Sequence, residues 1–209
     1  ILSIRASARK AAASIGRPFE RSGFLLVHLG GGISVAAVRN GNIVDNTIAL
    51  LGEGPFTPQR AGTLPQNELI DLCYDGAFDR KQLKEELTKR AGLISYLGED
   101  SMPEIEKRIL DGDETAEKAV RAMVYQIAKE VGAMSIAIGG PVDAIVLTGG
   151  LARSTRIVND LKRRVGHLAQ MIIFKETVEM EAMASGALSV LRGQIEPKRY
   201  QLRLQREIA

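Results

Sequence analysis

Phe24-Leu25-Leu26-Val27-His28-Leu29-Gly30-Gly31-Gly32-Ile33-Ser34-Val35-Ala36-Ala37-Val38-Arg39-Asn40-Gly41 is the stretch that decides the fold. Its opening is a continuous apolar run, and after the glycines a second run rich in β-branched residues covers Ile33 to Val38. Side chains branched at Cβ crowd a helix and suit a pleated strand. Asn40-Gly41 then supplies the pair that a tight hairpin needs at positive φ, which predicts a third strand over Asn42 to Asp45. Three consecutive strands therefore open the domain, antiparallel at least across the second turn.

Upstream, Leu2, Ala6, Ala12 and Ile15 recur at helical spacing until Gly16-Arg17-Pro18 stops the pattern, so residues 1–17 read as a helix leading into the domain. Downstream, Gly52, Gly54, Gly62, Pro55, Pro58 and Pro65 exclude regular structure and predict a long, stiff loop over 49–65. Short amphipathic segments follow over about 66–112 and predict a small helical insertion. The longest stripe, from Asp113 to Ala137, ends at Gly139-Gly140-Pro141. Strand Ala144–Leu147, helix Thr155–Val165, strand Met171–Phe174 and helix Met180–Leu191 complete an α-β-α-β-α run with parallel strands. Residues 18–193 thus form an α/β domain on a mixed five-stranded sheet, and 194–209 a polar tail.

At 209 residues, 45% hydrophobic and 25% charged, the chain can bury a real core and is neither disordered nor collagen-like. A net charge of +3 does not imply nucleic acid as a partner. The basic residues concentrate near both ends, which suits solvated faces or an acidic contact. Cys73 is the sole cysteine, so no intrachain disulfide forms, and it reads as a small core residue. No apolar run reaches the roughly 18 residues that span a bilayer, and no signal-peptide layout opens the chain, so a cytoplasmic protein without a membrane partner is expected. The chain starts at Ile1, inside a helical pattern, which suits a part of a longer protein.

The Gly30-Gly31-Gly32 turn between strands admits two readings: backbone N–H groups that cradle a phosphate, or a tight hairpin that needs positive φ. Its spacing is neither a dinucleotide fingerprint nor a P-loop. Thr148-Gly149-Gly150-Leu151-Ala152-Arg153-Ser154 lies between a strand and a helix, where free N–H donors and the helix dipole favour an anion; an ordinary turn is the plain alternative. Ser154 or Thr155 caps that helix. Arg60, between Pro58 and Pro65, is an arginine on a stiffened loop, the type of group that can hold the equatorial oxygens of a phosphoryl in transit, or a plain surface residue. His28 beside the glycines suits either a phosphate or a backbone carbonyl, and His167 has no assigned role. Glu179, Glu181 and Asp45 are surface acids or contributors to a hydrated Mg2+ site.

HLGGGISVAAVRNG at 28–41, GEGPFTPQRAGTLP at 52–65, YQIAKEVGAM at 125–134 and DAIVLTGGLARS at 143–154 resemble, in the same order, the butyrate kinases of the acetokinase family. That family sits in the acetate and sugar kinase, Hsp70 and actin superfamily. The resemblance implies a ribonuclease H-like, actin-like ATPase domain and transfer of the ATP γ-phosphoryl group to a short-chain carboxylate, with Mg2+. It places His28, Gly30, Gly31 and Gly32 at the ATP phosphates and Arg60 at the transferring phosphoryl. Gly149, Gly150, Arg153 and Ser154 fall at the adenosine, and Glu181 or Glu179 at the metal. It also implies an N-terminal domain that this sequence lacks, so the chain alone should turn over little. Another carboxylate kinase of the family and a non-catalytic nucleotide-binding or interaction module are the alternatives. Self-association through the uncovered apolar surface is a further expectation.

Overall fold

The computed structural model describes residues 2–175 and 179–197; in the last helix the side chains of Glu179, Glu181 and Ala182 are outside the description. Helix α1 (Leu2–Ser14) leads into strands β1 (Gly23–Leu29), β2 (Ile33–Arg39) and β3 (Asn42–Asn46). After the 47–65 loop come α2 (Gln66–Tyr74), α3 (Arg80–Glu85), a π turn (Glu86–Arg90), α4 (Leu93–Leu97), α5 (Met102–Leu110) and α6 (Glu114–Ala137). The chain closes with β4 (Ala144–Thr148), α7 (Thr155–Val165), β5 (Met171–Ile173) and α8 (Glu179–Leu191).

The strands form one mixed sheet in the order β3-β2-β1-β4-β5. β1 pairs antiparallel with β2 and parallel with β4, and β4 pairs parallel with β5. Asn40 and Gly41, at φ 50° and 76°, make the β2–β3 turn as the sequence predicts. Because side chains alternate along a strand, β1 feeds two cores at once. Leu25, Val27 and Leu29 join Met123, Ile127, Val131, Ile157 and Leu161 on the α6–α7 face. Phe24 and Leu26 face Ile4, Ala8, Ala11 and Ala12 of α1 on the other. A sheet covered on both sides explains why β1 and β4 are almost unbroken apolar runs.

The expected insertion over 66–112 has two unlike halves. α4 and α5 place Leu93, Met102, Ile105 and Ile109 in the main core, whereas α2 and α3 bury no residue. This corrects the reading of Cys73 as a core residue: it is exposed on α2, whose Ile70 and Tyr74 also face outward. Helical spacing shows which residues share a face, not whether anything covers that face. Arg17, just after α1, pairs with Asp143 at the start of β4, and Asp143 also accepts from the Gly23 N–H at 2.8 Å. One basic group near the N-terminus thus ties α1 to the two central strands. The expected tail from 198 onward lies outside the described residues.

Asp113 caps α6 by accepting from the Ala116 N–H at 2.9 Å, and it also accepts from Arg108 Nε and Nη2 at 2.9 and 2.7 Å. These hydrogen bonds, the backbone one first, hold its carboxyl below the ordinary aspartate value. A folded-state pKa below the unfolded one gives stability that is present above the unfolded value and lost as pH falls toward the folded one. Asp113→Asn keeps a capping side chain, so its melting temperature should fall less between pH 5 and pH 3 than that of the wild type. Thermal melts across that interval check the slope.

Candidate functional site

The site is built where β1 and β4 end. Parallel pairing in the register His28↔Thr148 sends the glycine turn after β1 and the Gly149-Gly150 loop after β4 out of the same edge of the sheet. Carboxyl ends of parallel strands are where open α/β sheets leave a crevice for ligands. Gly149, at φ 95°, lies so close to β1 that a Cβ there would sit 2.8 Å from the Leu29 carbonyl carbon. A Cβ at Gly150 would meet nothing within 4 Å. The first glycine is therefore required by packing, while the second faces open space.

The turn closes the β1–β2 hairpin, but none of Gly30, Gly31 and Gly32 is at positive φ, which corrects the reading that the hairpin needs positive φ there. Their neighbours lie close, most of all at Gly32, where the neighbour is the end of the flexible Arg60 side chain. A Cβ at Gly32 would lie 2.6 Å from Arg60 Cζ, one at Gly31 3.5 Å from Gln59 Oε1, and one at Gly30 3.3 Å from His28 Nε2. The bare backbone is thus the seat of the Arg60 guanidinium, and His28 flanks it. Within the turn the Gly30 N–H donates to the Gly32 carbonyl at 3.1 Å, which leaves the N–H groups of Gly31 and Gly32 as its donors.

Arg60 comes from a loop closed upon itself. Thr63 N–H donates to the Gly54 carbonyl at 2.9 Å, Thr57 N–H to the Arg60 carbonyl at 3.0 Å, and Phe56 N–H to Gln126 Oε1 of α6 at 3.0 Å. The half-buried Arg60 donates from Nη1 to the Ala49 carbonyl at 2.7 Å. Among the described residues it has no carboxylate partner. A neutral acceptor holds the fork and no described carboxylate offsets its charge, a state that suits an incoming anion. Behind Ala49 lies an apolar cavity of about 350 Å³ lined by Leu50, Leu51, Leu64, Leu69, Leu87 and Glu53. Burial raises the Glu130 carboxyl above its ordinary value; Lys129 opposes the shift and Glu53 adds to it.

Other candidates are placed differently. Ser154 caps α7, accepting from the Ile157 N–H at 3.1 Å, and donates to Glu106 Oε1 at 2.5 Å, so its hydroxyl is engaged within the protein. Exposed Arg153 donates from Nε to the Lys175 carbonyl at 3.0 Å. Asp45 is exposed on β3 and accepts from the Asn46 N–H. The side chains of Glu179 and Glu181 lie outside the described residues, and among the described residues no three His, Cys, Asp or Glu gather as metal ligands. Sequence reading missed Thr57, Gln59 and Asp100. Gln59 Nε2 donates to Asp100 Oδ2 at 2.6 Å, and the Thr57 hydroxyl to the Gly31 carbonyl at 2.6 Å. The available signal was a polar residue between two prolines.

Close approach and positive φ coincide at Gly149 and are both missing at Gly150. Gly149→Ala should therefore cost on the order of 1–3 kcal/mol or more, and Gly150→Ala no more than about 0.5 kcal/mol. Urea unfolding of the two variants measures the difference.

The acetokinase family pattern matches residues 3–192. Probable butyrate kinases from Listeria innocua and Bacteroides thetaiotaomicron are each 44% identical over 199 residues, 95% of this chain and 56% of theirs. The chain spans about half the length of the curated relatives it matches. Acetate kinase from Porphyromonas gingivalis superposes with a TM-score of 0.81 at 23% identity, covering 91% of this chain and 54% of that one. For acetate kinase from Entamoeba histolytica the TM-score is 0.80 at 18% identity, over 91% and 57%. The domain has the actin-like ATPase fold of these kinases. With that fold and a family pattern matched over nearly its whole length, the chain belongs to the acetokinase family.

Proposed function

We propose that this chain is the nucleotide-binding part of a carboxylate kinase that transfers the ATP γ-phosphoryl group to a short-chain carboxylate, butyrate in the first instance. The observation that carries the reading is the Arg60 guanidinium, without a carboxylate partner among the described residues, seated on Gly32 at the crevice edge. A carboxylate oxygen attacks the γ-phosphorus, the bond from that phosphorus to the β,γ-bridging oxygen breaks, and ADP leaves with the electron pair. An ionised carboxylate has no proton to lose, so charge stabilisation and alignment are what the protein must supply.

In this assignment the Gly31 and Gly32 N–H groups face the terminal phosphates, with His28 beside them, and Arg60 bonds the equatorial oxygens of the moving group. Gly149 and Gly150 border the adenosine. Arg153 flanks it, and Ser154 acts through the α7 start that it caps. Mg2+ would offset phosphate charge; it needs only one or two carboxylates beside water and phosphate, and Glu179 or Glu181 is the candidate. The groups that hold the acceptor would come from the part of the relatives that this chain does not span, so little turnover is expected from the chain alone.

Calorimetric titration with ATP and ADP in the presence of Mg2+ tests the reading. The wild type should prefer ATP, and Arg60→Ala should lose about tenfold or more of that preference, the worth of a charge-assisted hydrogen bond. Gly32→Ala should lose it too with little change in melting temperature, since the end of a flexible side chain can swing aside. Equal preference in Arg60→Ala and the wild type would remove Arg60 from the mechanism; no nucleotide binding at all would overturn the function. Hydroxylamine trapping in a polypeptide of the relatives' length should yield butyryl hydroxamate; ATP binding without it would favour a non-catalytic module.

A further inference from the structure

We infer that Thr57 is a positioning residue for the phosphoryl-transfer step, its hydroxyl fixing the Arg60 backbone to the glycine turn. The inference rests on the role proposed above for Arg60. Thr57 is 1% exposed, and every polar group it has is engaged inside the site. Its hydroxyl donates to the Gly31 carbonyl at 2.6 Å and accepts from the N–H groups of Arg60 at 3.0 Å and Gln59 at 3.2 Å. One donor and two acceptors exhaust a hydroxyl. Its own N–H donates to the Arg60 carbonyl and its own carbonyl accepts from the Leu93 N–H, each at 3.0 Å.

The arrangement joins segments that the chain separates by 26 residues. On one side is the turn whose backbone seats the guanidinium; on the other is the peptide unit that carries the arginine. The far flank is held as well, because Ala61 N–H donates to the Leu87 carbonyl in the π turn and Gln59 reaches Asp100. A long side chain such as arginine places its fork reproducibly only if its Cα is placed first, and an error of about 1 Å at a reacting group costs on the order of a hundredfold. Three bonds from one short side chain fix that Cα relative to Gly31. Valine has nearly the shape of threonine and removes all three.

The test compares Thr57→Val and Thr57→Ser with the wild type by two measurements. Amide hydrogen exchange without nucleotide should show the Arg60 N–H exchanging about tenfold faster or more in the valine variant, with serine near the wild type. Titration with ATP and ADP should show the valine variant losing about tenfold of its preference for ATP, with ADP affinity changed less than about twofold and serine restoring the preference. A threonine that merely supports the fold would lower the melting temperature and leave the ATP-to-ADP ratio alone. Unchanged exchange at Arg60, an intact ATP preference in Thr57→Val, or equal damage from valine and serine each overturns the inference while the proposed function stands. Failure of the wild type to bind nucleotide overturns both. If the valine variant does not fold, Thr57→Ala removes the hydroxyl without adding a methyl and is read by the same two measurements.

Discussion

The parallel pairing of β1 with β4 is the constraint on which the rest depends. It sets Leu29 beside Gly149 so closely that no side chain fits between them, and so the two glycine loops leave the sheet as neighbours. Pairing, not loop chemistry, makes them one site. A shift of one residue in that register would turn Leu25, Val27 and Leu29 from the α6–α7 core toward α1 and exchange the two apolar faces. The two cores that hold the register therefore also hold the distance between the loops.

A second constraint acts across the crevice edge. The glycine turn is a hairpin connection and is flexible in principle, yet its carbonyls are bound from both directions: Gly32 from within the turn and Gly31 from Thr57. The arginine loop is stiffened by prolines and anchored to α6 through Gln126, to the π turn through Ala61 and to α4 through Leu93. Prolines and internal bonds stiffen the arginine loop, and bonds to α4 and α6 tie it to elements that reach the main core, whereas α2 and α3 bury no residue.

Most of the fold is legible in the sequence because its signals are local. Asn40-Gly41 encodes its turn by the φ values it tolerates, α6 its buried stripe by spacing, and α7 its start by a serine ahead of a free N–H. Of the candidate site, the glycines and Arg60 could be picked out by residue type, and the structure brings Gly32 and Arg60 together. What stayed hidden depends on partners far along the chain. Cys73 has core composition and no cover; Thr57 has loop composition and three buried hydrogen bonds. Of the two readings of the glycine turn, the one that needs positive φ fails, because φ is a property of one residue and the close approach at Gly32 is a property of two.

That distinction bears on how the site works. Because Gly32 lies against the Arg60 guanidinium, the shape of the turn and the position of that side chain are coupled. The guanidinium rests on Gly32, donates to Ala49 and sits on a backbone whose N–H is held by Thr57, itself bonded to Gly31. Cationic fork and neutral N–H donors are thus brought together by contacts within the protein that spend none of the fork's charge on a described carboxylate. Under the proposed function, these contacts place the fork and the donors by folding, which is how preorganised groups stabilise a developing charge.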